Sequence, residues 1–224
     1  LRDSKVNDIK KINTEAVLVN NYELGFVSEY SRLRFELTGF ISTSRLGADM
    51  IFDPNTGLFN VSRTPERIYG IEAAVQYQLL HNLDISASYS YLEGKADTAK
   101  AGGGSYNVYL NGRRIAPPKM TAGVSYRPVK DLELRLQYMG VNGRNRFEKN
   151  AKGVYNGNEG RVKAYNLVNF NANYKVAPRT MLTLGIENLL NEDYFPARSQ
   201  WFMQPGFYSK GKGASFNIGI AVNY

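Results

Sequence analysis

Alternation with a period of two recurs along most of this chain and limits its fold more than any other feature. It is cleanest at the end, where Phe216, Ile218, Ile220, Val222 and Tyr224 alternate with Ser215, Asn217, Gly219, Ala221 and Asn223. Successive side chains of a β-strand point to opposite faces, so this strand is bulky and apolar on one face and small and polar on the other. About 9 to 11 tilted residues are enough to cross the core of a bilayer. In a membrane barrel the apolar set faces lipid and the polar set faces a wet or tightly packed lumen.

A soluble sandwich also alternates, so recurrence decides. Tyr22, Leu24, Phe26 and Tyr30 alternate with Glu23, Gly25 and Glu29. Leu33, Phe35, Leu37 and Ile41 alternate with Arg34, Glu36 and Thr38, with Phe40 out of phase. Ile71 to Leu79 and Leu83 to Tyr91 form one expected hairpin, and Met120 to Tyr126 with Leu132 to Tyr138 form a second. Val168 to Val176, Leu182 to Ile186 and the terminal strand bring the expected number to nine.

The connections fall into two kinds that alternate. Those at Ser31, Leu80 to Asn82, Pro128 to Asp131 and Ala177 to Arg179 are short, and those between them are long and rich in Gly, Asn and charge. Outer-membrane barrels have this asymmetry, with short periplasmic turns and long extracellular loops. Tyr30, Tyr77, Tyr126, Tyr174 and Tyr224 all fall at short-turn ends, spaced by 47, 49, 48 and 50 residues, and are expected to form an interfacial aromatic girdle. A repeat near 50 residues also occurs in kelch-type propellers, but a blade needs four short strands and each unit here reads as two long ones.

Composition is consistent with this reading: 43% of residues are hydrophobic, 16 are Tyr and 21 are Gly, and no apolar run reaches the ~18 residues of a helical span. Cys is absent, which suits passage through an oxidising compartment without requiring it. Leu1 to Lys11 is polar and lacks the apolar segment of an export signal. Nine strands is an odd number, whereas bacterial single-chain barrels have an even one. Either Ile12 to Val19 supplies a tenth strand or the residues belong to a larger barrel.

An ordered set of motifs selects the second option. Asn21-Tyr22-Glu23-Leu24-Gly25, Tyr69-Gly70-Ile71-Glu72, Arg114-Ile115-Ala116-Pro117-Pro118 and Glu187-Asn188-Leu189-Leu190-Asn191-Glu192-Asp193-Tyr194 precede the aromatic terminal strand. In this set the chain resembles the C-terminal part of the barrel of TonB-dependent outer-membrane receptors, with Leu190 where Phe is commoner. The resemblance implies an all-β, antiparallel up-and-down transmembrane barrel, of which residues 1–224 are the last nine of 22 strands. It also implies an N-terminal plug domain and earlier strands outside this sequence, and a location in the outer membrane of a Gram-negative bacterium. The implied activity is uptake of a ferric siderophore, coupled through the plug to the TonB complex. Haem, cobalamin or glycan cargo and a passive porin remain open. The terminal aromatic strand is expected to engage the barrel-assembly machinery.

Cargo chemistry is expected in the long loops. Asn142 to Lys163 carries Arg144, Arg146, Lys149, Lys152, Arg161 and Lys163 against Glu148 and Glu159. Lys95 to Arg114 adds Lys95, Lys100, Arg113 and Arg114 against Asp97, with Tyr106 and Tyr109 interleaved. Such groups attract an anionic ferric chelate through charge and ring contacts, and equally suit the phosphates of surrounding lipopolysaccharide. Trp201 in the last long loop either caps the mouth or packs on the rim.

Other chemistry is thin. The single histidine, His81, falls in a short turn, so neither a metal site, an intrinsic cofactor nor catalysis is expected; iron enters only as cargo. Asp53-Pro54-Asn55-Thr56-Gly57 lacks the remaining ligands of a calcium loop, and Gly102-Gly103-Gly104 lacks the Lys-Ser/Thr pair of a phosphate loop. The net charge of +8 is scattered over loops instead of lining one groove, against nucleic-acid binding.

Overall fold

A computed structural model describes residues 16–47, 49–53, 58–62, 64–97, 105–112, 114–147, 160–200 and 208–223. The nine alternating segments are nine strands of one antiparallel meander. In chain order they are β1 (Val19–Tyr30), β2 (Leu33–Ser44), β5 (Glu66–Leu80), β6 (Leu83–Ala96), β8 (Lys119–Val129), β9 (Leu132–Val141), β10 (Tyr165–Ala177), β11 (Thr180–Glu187) and β12 (Ser215–Val222). Each pairs with its sequence neighbour, as short hairpins require. Three further strands lie within the long connections. β3 (Asp49–Asp53) and β4 (Leu58–Ser62) pair with each other, and β7 (Val108–Tyr109) adds to β6.

The proposed strand in Ile12 to Val19 does not form as such: Val19 begins β1, residues 16–18 are irregular, and residues 12–15 lie outside the described residues. Among the described residues β1 and β12 each have one strand neighbour, so the sheet is an open arc of barrel wall.

Four hairpins close through two-residue turns, at residues 31–32, 81–82, 130–131 and 178–179. Each turn is secured in the same way. The carbonyls of Arg32, Asn82 and Asp131 accept hydrogen bonds of 2.8–2.9 Å from the N–H groups of Gln78, Arg127 and Lys175 on the next strand, and that of Arg179 accepts one of 2.9 Å from Asn223, just past the end of β12. A turn carbonyl that would otherwise be unpaired thus joins the ladder. Ser31 takes φ 53° in the first of these reversals.

Register sets the tilt. Leu33, the first residue after the first turn, pairs with Tyr77, and β5 then runs three residues further to Leu80. The same step follows Leu83, which pairs with Tyr126 before β8 ends at Val129, and Leu132, which pairs with Tyr174 before β10 ends at Ala177. With a rise of about 3.3 Å per residue and strands about 4.8 Å apart, this stagger corresponds to a tilt of roughly 40°, the value for membrane barrels.

The two faces separate as the alternation requires. The apolar set is open to the surroundings: Leu24 is 82% exposed, Ile218 77% and Phe216 70%. Tyr30, Tyr77, Tyr126 and Tyr174 lie on this face in a row at the short-turn ends, and Tyr224 lies outside the described residues. The opposite face is polar and joined across strands by Ser42–Asn21 (2.6 Å), Ser88–Thr121 (2.7 Å) and Thr183–Asn173 (3.1 Å). Phe40 is out of phase because it belongs to this inner face, where its ring lies over Gly70 of β5.

Gly70 is required there. A Cβ at this position would meet the Tyr91 carbonyl oxygen at 2.5 Å and the Phe40 ring at 2.7 Å. Gly70→Ala is therefore expected to cost about 1–3 kcal/mol by overpacking. Reversible urea unfolding in lipid vesicles measures it, and Phe40→Ala in the same chain should recover part of the loss.

Candidate functional site

The charged and hydrogen-bonding side chains of the wall gather on its inner face and in the connections at the loop end. At the short-turn end the inner face lines a recess of about 530 Å³ with Arg34, Gln76, Asp84, Arg127, Glu133 and Arg135 among its lining residues. The charges are matched within and between strands: Arg127 contacts Asp84 of β6 at 2.6 Å, Arg34 contacts Glu36 of its own strand at 2.6 Å and Glu29 of β1 at 3.7 Å, and Arg135 contacts Glu133 of its own strand at 3.8 Å and Ser125 of β8 at 3.1 Å. Such half-exposed pairs contribute little stability, but they make the inner face hydrophilic at its short-turn end.

At the loop end the wall thickens into a small core. Leu110 and Ile115 fold from the connection after β6 onto the inner face, against Ala96, Ile68 and Leu92. Gly94 allows the approach, since a Cβ there would lie 2.7 Å from the Leu110 side chain. Arg114 crosses this core to Glu66 at 2.6 Å, and both are largely covered. The segment Arg114 to Pro118 therefore re-enters the wall around a buried Ile115 and an internal ion pair.

A second hub sits on the opposite side of the wall. Glu93 belongs to the outward set of β6 with Tyr89 and Tyr91, and its side chain is only 2% exposed. Arg144 reaches it from the connection after β9: Nη2 donates to Glu93 Oε1 at 2.8 Å and to the Leu110 carbonyl at 2.9 Å. The guanidinium lies 4.7 Å from the centre of the Phe147 ring, and the Arg144 backbone bridges to Val162. Its Nε and Nη1 have no hydrogen-bond acceptor among the described residues. Arg146 is half-exposed beside the pair, with Nη1 3.0 Å from the Tyr91 hydroxyl and 3.8 Å from Glu93. The Tyr91 phenol raises the Arg146 pKa from its ordinary value against an opposing effect of burial, so the charge is secure.

The candidates from sequence are thus divided. Arg114 and Arg144 are held in internal ion pairs, and Arg146 stands at the rim beside Tyr91. Tyr106, at φ 40°, lies under Arg67 at 4.4 Å, and Tyr109 lies under Lys95 at 4.5 Å. Arg161 is exposed before β10, as is Lys163. Arg113, Lys149, Lys152 and Trp201 lie outside the described residues. Glu66 and Glu93, which fix two of the arginines, were not singled out from sequence. They lie 48 and 51 residues from their partners, too far for any local pattern to reveal the pairing.

The motif Glu187 to Tyr194 forms a lock for the last loop. Asn188 and Asn191 both adopt φ 51°, a left-handed conformation that Asn tolerates. The Asn188 amide donates to the carbonyls of Glu192 (2.9 Å) and Lys212 (3.0 Å) and accepts from the Glu192 N–H (2.8 Å). Asn191 accepts from Ala214 N–H at 2.9 Å, leading the chain into β12. Tyr194 stacks on Tyr165 at 4.7 Å with Gly211 against its ring, and Gln200 grips both the N–H and the carbonyl of Lys163. These residue types therefore serve backbone satisfaction at the mouth. Burial pushes the nearby Tyr208 phenol up.

Comparison with known proteins agrees with this architecture. The family model described as TonB dependent receptor-like, beta-barrel matches residues 14–189. Ferric aerobactin receptors of Escherichia coli and Klebsiella pneumoniae are each 27% identical over 98% of this chain, which spans 29% and 28% of their lengths. Among solved structures, Copper transporter OprC superposes with a TM-score of 0.77 at 18% identity, over 92% of this chain and 31% of that one. The FrpB iron transporter from Neisseria meningitidis (F3-3 variant) gives 0.71 at 18% identity, over 94% and 31%. The chain thus covers less than a third of these relatives.

Breaking the buried pair on one side leaves an uncompensated charge. Arg144→Ala or Glu93→Ala is expected to destabilise the rim by about 3–5 kcal/mol, whereas Arg144→Met with Glu93→Leu should stay closer to the parent. Hydrogen exchange of residues 107–115 and 141–147 reads the difference. Asn188→Ala strips three hydrogen bonds and leaves buried backbone groups unpaired, so a drop of about 2–4 kcal/mol in local protection around residues 188–192 and 211–214 is expected by the same measurement.

Proposed function

This chain belongs to the TonB-dependent receptor β-barrel family, whose members are outer-membrane proteins of Gram-negative bacteria, and on that premise we propose that it forms part of the wall of an energy-coupled receptor for a ferric siderophore. The observation that carries the reading is the charged inner face. Its matched pairs, Arg127–Asp84 and Arg34–Glu36, provide a hydrophilic path with little net charge to trap a polar cargo on its way through. A lumen of this kind suits a large, multiply hydrogen-bonding chelate better than an apolar solute. The curated relatives named as ferric aerobactin receptors favour siderophore-bound iron over other cargo.

At the mouth, the exposed Arg161 and Lys163 are the described cations best placed to draw in an anionic chelate, because Arg114 and Arg144 already neutralise carboxylates. Their contribution is to attraction and on-rate more than to the bound state. Energy coupling is assigned to the TonB complex acting through a plug domain, as in the family. The barrel supplies passage, not catalysis.

Uptake tests the reading directly. In iron-limited cells carrying the full-length receptor, labelled ferric siderophore should accumulate only with TonB and a proton-motive force, while haem, cobalamin and copper should not. Accumulation independent of TonB would make the barrel a passive pore, and uptake of another cargo alone would reassign it. Arg161→Glu with Lys163→Glu should weaken siderophore affinity about tenfold at low ionic strength and less at high, since exposed charges are screened. Equilibrium binding at two salt concentrations measures this.

A further inference from the structure

Arg161 and Lys163 are held by a buried side chain from another connection, and we propose that Gln200 is a positioning residue for these two cations, presenting them as a fixed pair to an anionic chelate. The proposal rests on the reading that they meet cargo, and adds how they are held. Arg161 and Lys163 are exposed, and Val162 between them is buried. That alternation belongs to a short extended segment, whose first and third residues share a face roughly 7 Å apart.

Both edges of the segment are occupied. Val162 exchanges two backbone hydrogen bonds with Arg144: its N–H donates to the Arg144 carbonyl at 2.9 Å, and its carbonyl accepts from the Arg144 N–H at 3.0 Å. Consecutive residues of an extended chain direct their N–H and C=O groups to opposite edges, so those of Lys163 face away from Arg144. Gln200 meets them there. Its Oε1 accepts from the Lys163 N–H at 2.9 Å, and its Nε2 donates to the Lys163 carbonyl at 3.3 Å. A side-chain amide carries the same acceptor and donor as a peptide unit, so this one residue stands in for a neighbouring strand.

Gln200 is itself fixed. It is 2% exposed, its N–H donates to the Ala197 carbonyl at 3.2 Å, and Nε2 also donates to the Phe195 carbonyl at 2.5 Å. Ser199 secures the same turn by donating to the Pro196 and Ser209 carbonyls, each at 3.0 Å. The last connection thus carries a preformed clamp that reaches Lys163 from 37 residues away.

The clamp leaves the charges available. Glutamine is neutral, and among the described residues no carboxylate pairs with Arg161 or Lys163. The described charges of the last connection are Arg198, Lys210 and Lys212 against Glu192 and Asp193, and Lys210 engages Asp193 at 2.9 Å. Steering of an anion needs only the two positive charges, whereas retention needs groups already in place when the ligand arrives. The clamp therefore acts on release. Two cations on one face suit a ligand with several anionic oxygens, a polycarboxylate chelate above an uncharged one.

The test uses the full-length receptor in lipid nanodiscs, with ferric citrate as a polycarboxylate chelate of iron(III). Gln200→Met keeps the side-chain volume and removes its hydrogen bonds to Lys163. Hydrogen exchange at the Lys163 amide should be about tenfold faster in this variant, with residues 169–174 of β10 unchanged. In surface plasmon resonance the variant should release ferric citrate about fivefold faster at an unchanged association rate. Arg161→Gln with Lys163→Gln should slow association and remove the effect of Gln200→Met on release. Heat-modifiable gel mobility reports folding; if Gln200→Met does not fold, Gln200→Asn, which keeps the amide but falls one methylene short of Lys163, gives the same reading. An unchanged Lys163 amide would overturn the clamp, and an equal effect on release in both charge backgrounds would overturn the positioning role. Failure of the parent to bind ferric citrate would overturn the ligand class. If the Lys163 amide opens but Arg161→Gln with Lys163→Gln leaves association unchanged, the clamp stands and the reading of these residues as cargo cations falls.

Discussion

Every feature of this wall depends on the need to satisfy backbone N–H and C=O groups where no water is available. In hydrocarbon an unpaired peptide group costs several kcal/mol, so a chain crosses either as a helix or as strands in a continuous ladder. The period of two rules out the helix. Each strand from β1 to β12 in the meander then pairs with its neighbour, with register shifts only beside three of the short turns, and even the turn carbonyls of Arg32, Asn82, Asp131 and Arg179 are recruited by the chain of the next hairpin. Once pairing is fixed, register fixes the stagger, the stagger fixes the tilt, and the tilt brings the tyrosines of the short-turn ends into one row.

Above the membrane the constraint changes. Water can satisfy the backbone there, so order has to come from side chains, and the chain supplies it with two small hubs. On the inner side, Ile115, Leu110 and Ala96 form a local core stitched by Arg114 and Glu66. On the outer side, Arg144 and Glu93 form an ion pair that is almost fully desolvated. Such a pair adds little net stability over an apolar replacement but cannot be half removed. Its effect is geometric, because it sets where Arg146, Phe147 and the chain toward Val162 lie.

The terminal motif follows the same logic. Asn188 and Asn191 were singled out as part of a family signature, and the structure gives the physical need for them: left-handed backbone that Asn accepts at low cost, and an amide able to donate and accept at once. A residue of the same size without that dual capacity, such as Leu or Asp, would leave part of the set unpaired. The signature therefore marks a folding constraint at the mouth, distinct from the cationic residues proposed to meet cargo.

Sequence alone determined the nine long strands, their order, their faces and the short-turn side, because alternation and turn length act over a few residues and are written locally; the short β3, β4 and β7 within the long connections were not legible in it. It also marked Phe40 as out of phase without explaining it; Gly70, 30 positions away on the neighbouring strand, is the reason. Strand ends beyond the membrane were legible only in part. β5 begins at Glu66 and β6 ends at Ala96, past Ile71 and Tyr91, because loops cover both faces there and the contrast between apolar and polar sides disappears while the hydrogen-bond ladder continues. The division of the basic residues was decided wholly by tertiary structure. Arg114, Arg144 and Arg146 look alike in a list of loop cations, but a guanidinium's role depends on the carboxylate it meets, and Glu66 and Glu93 are brought to them from 48 and 51 residues away.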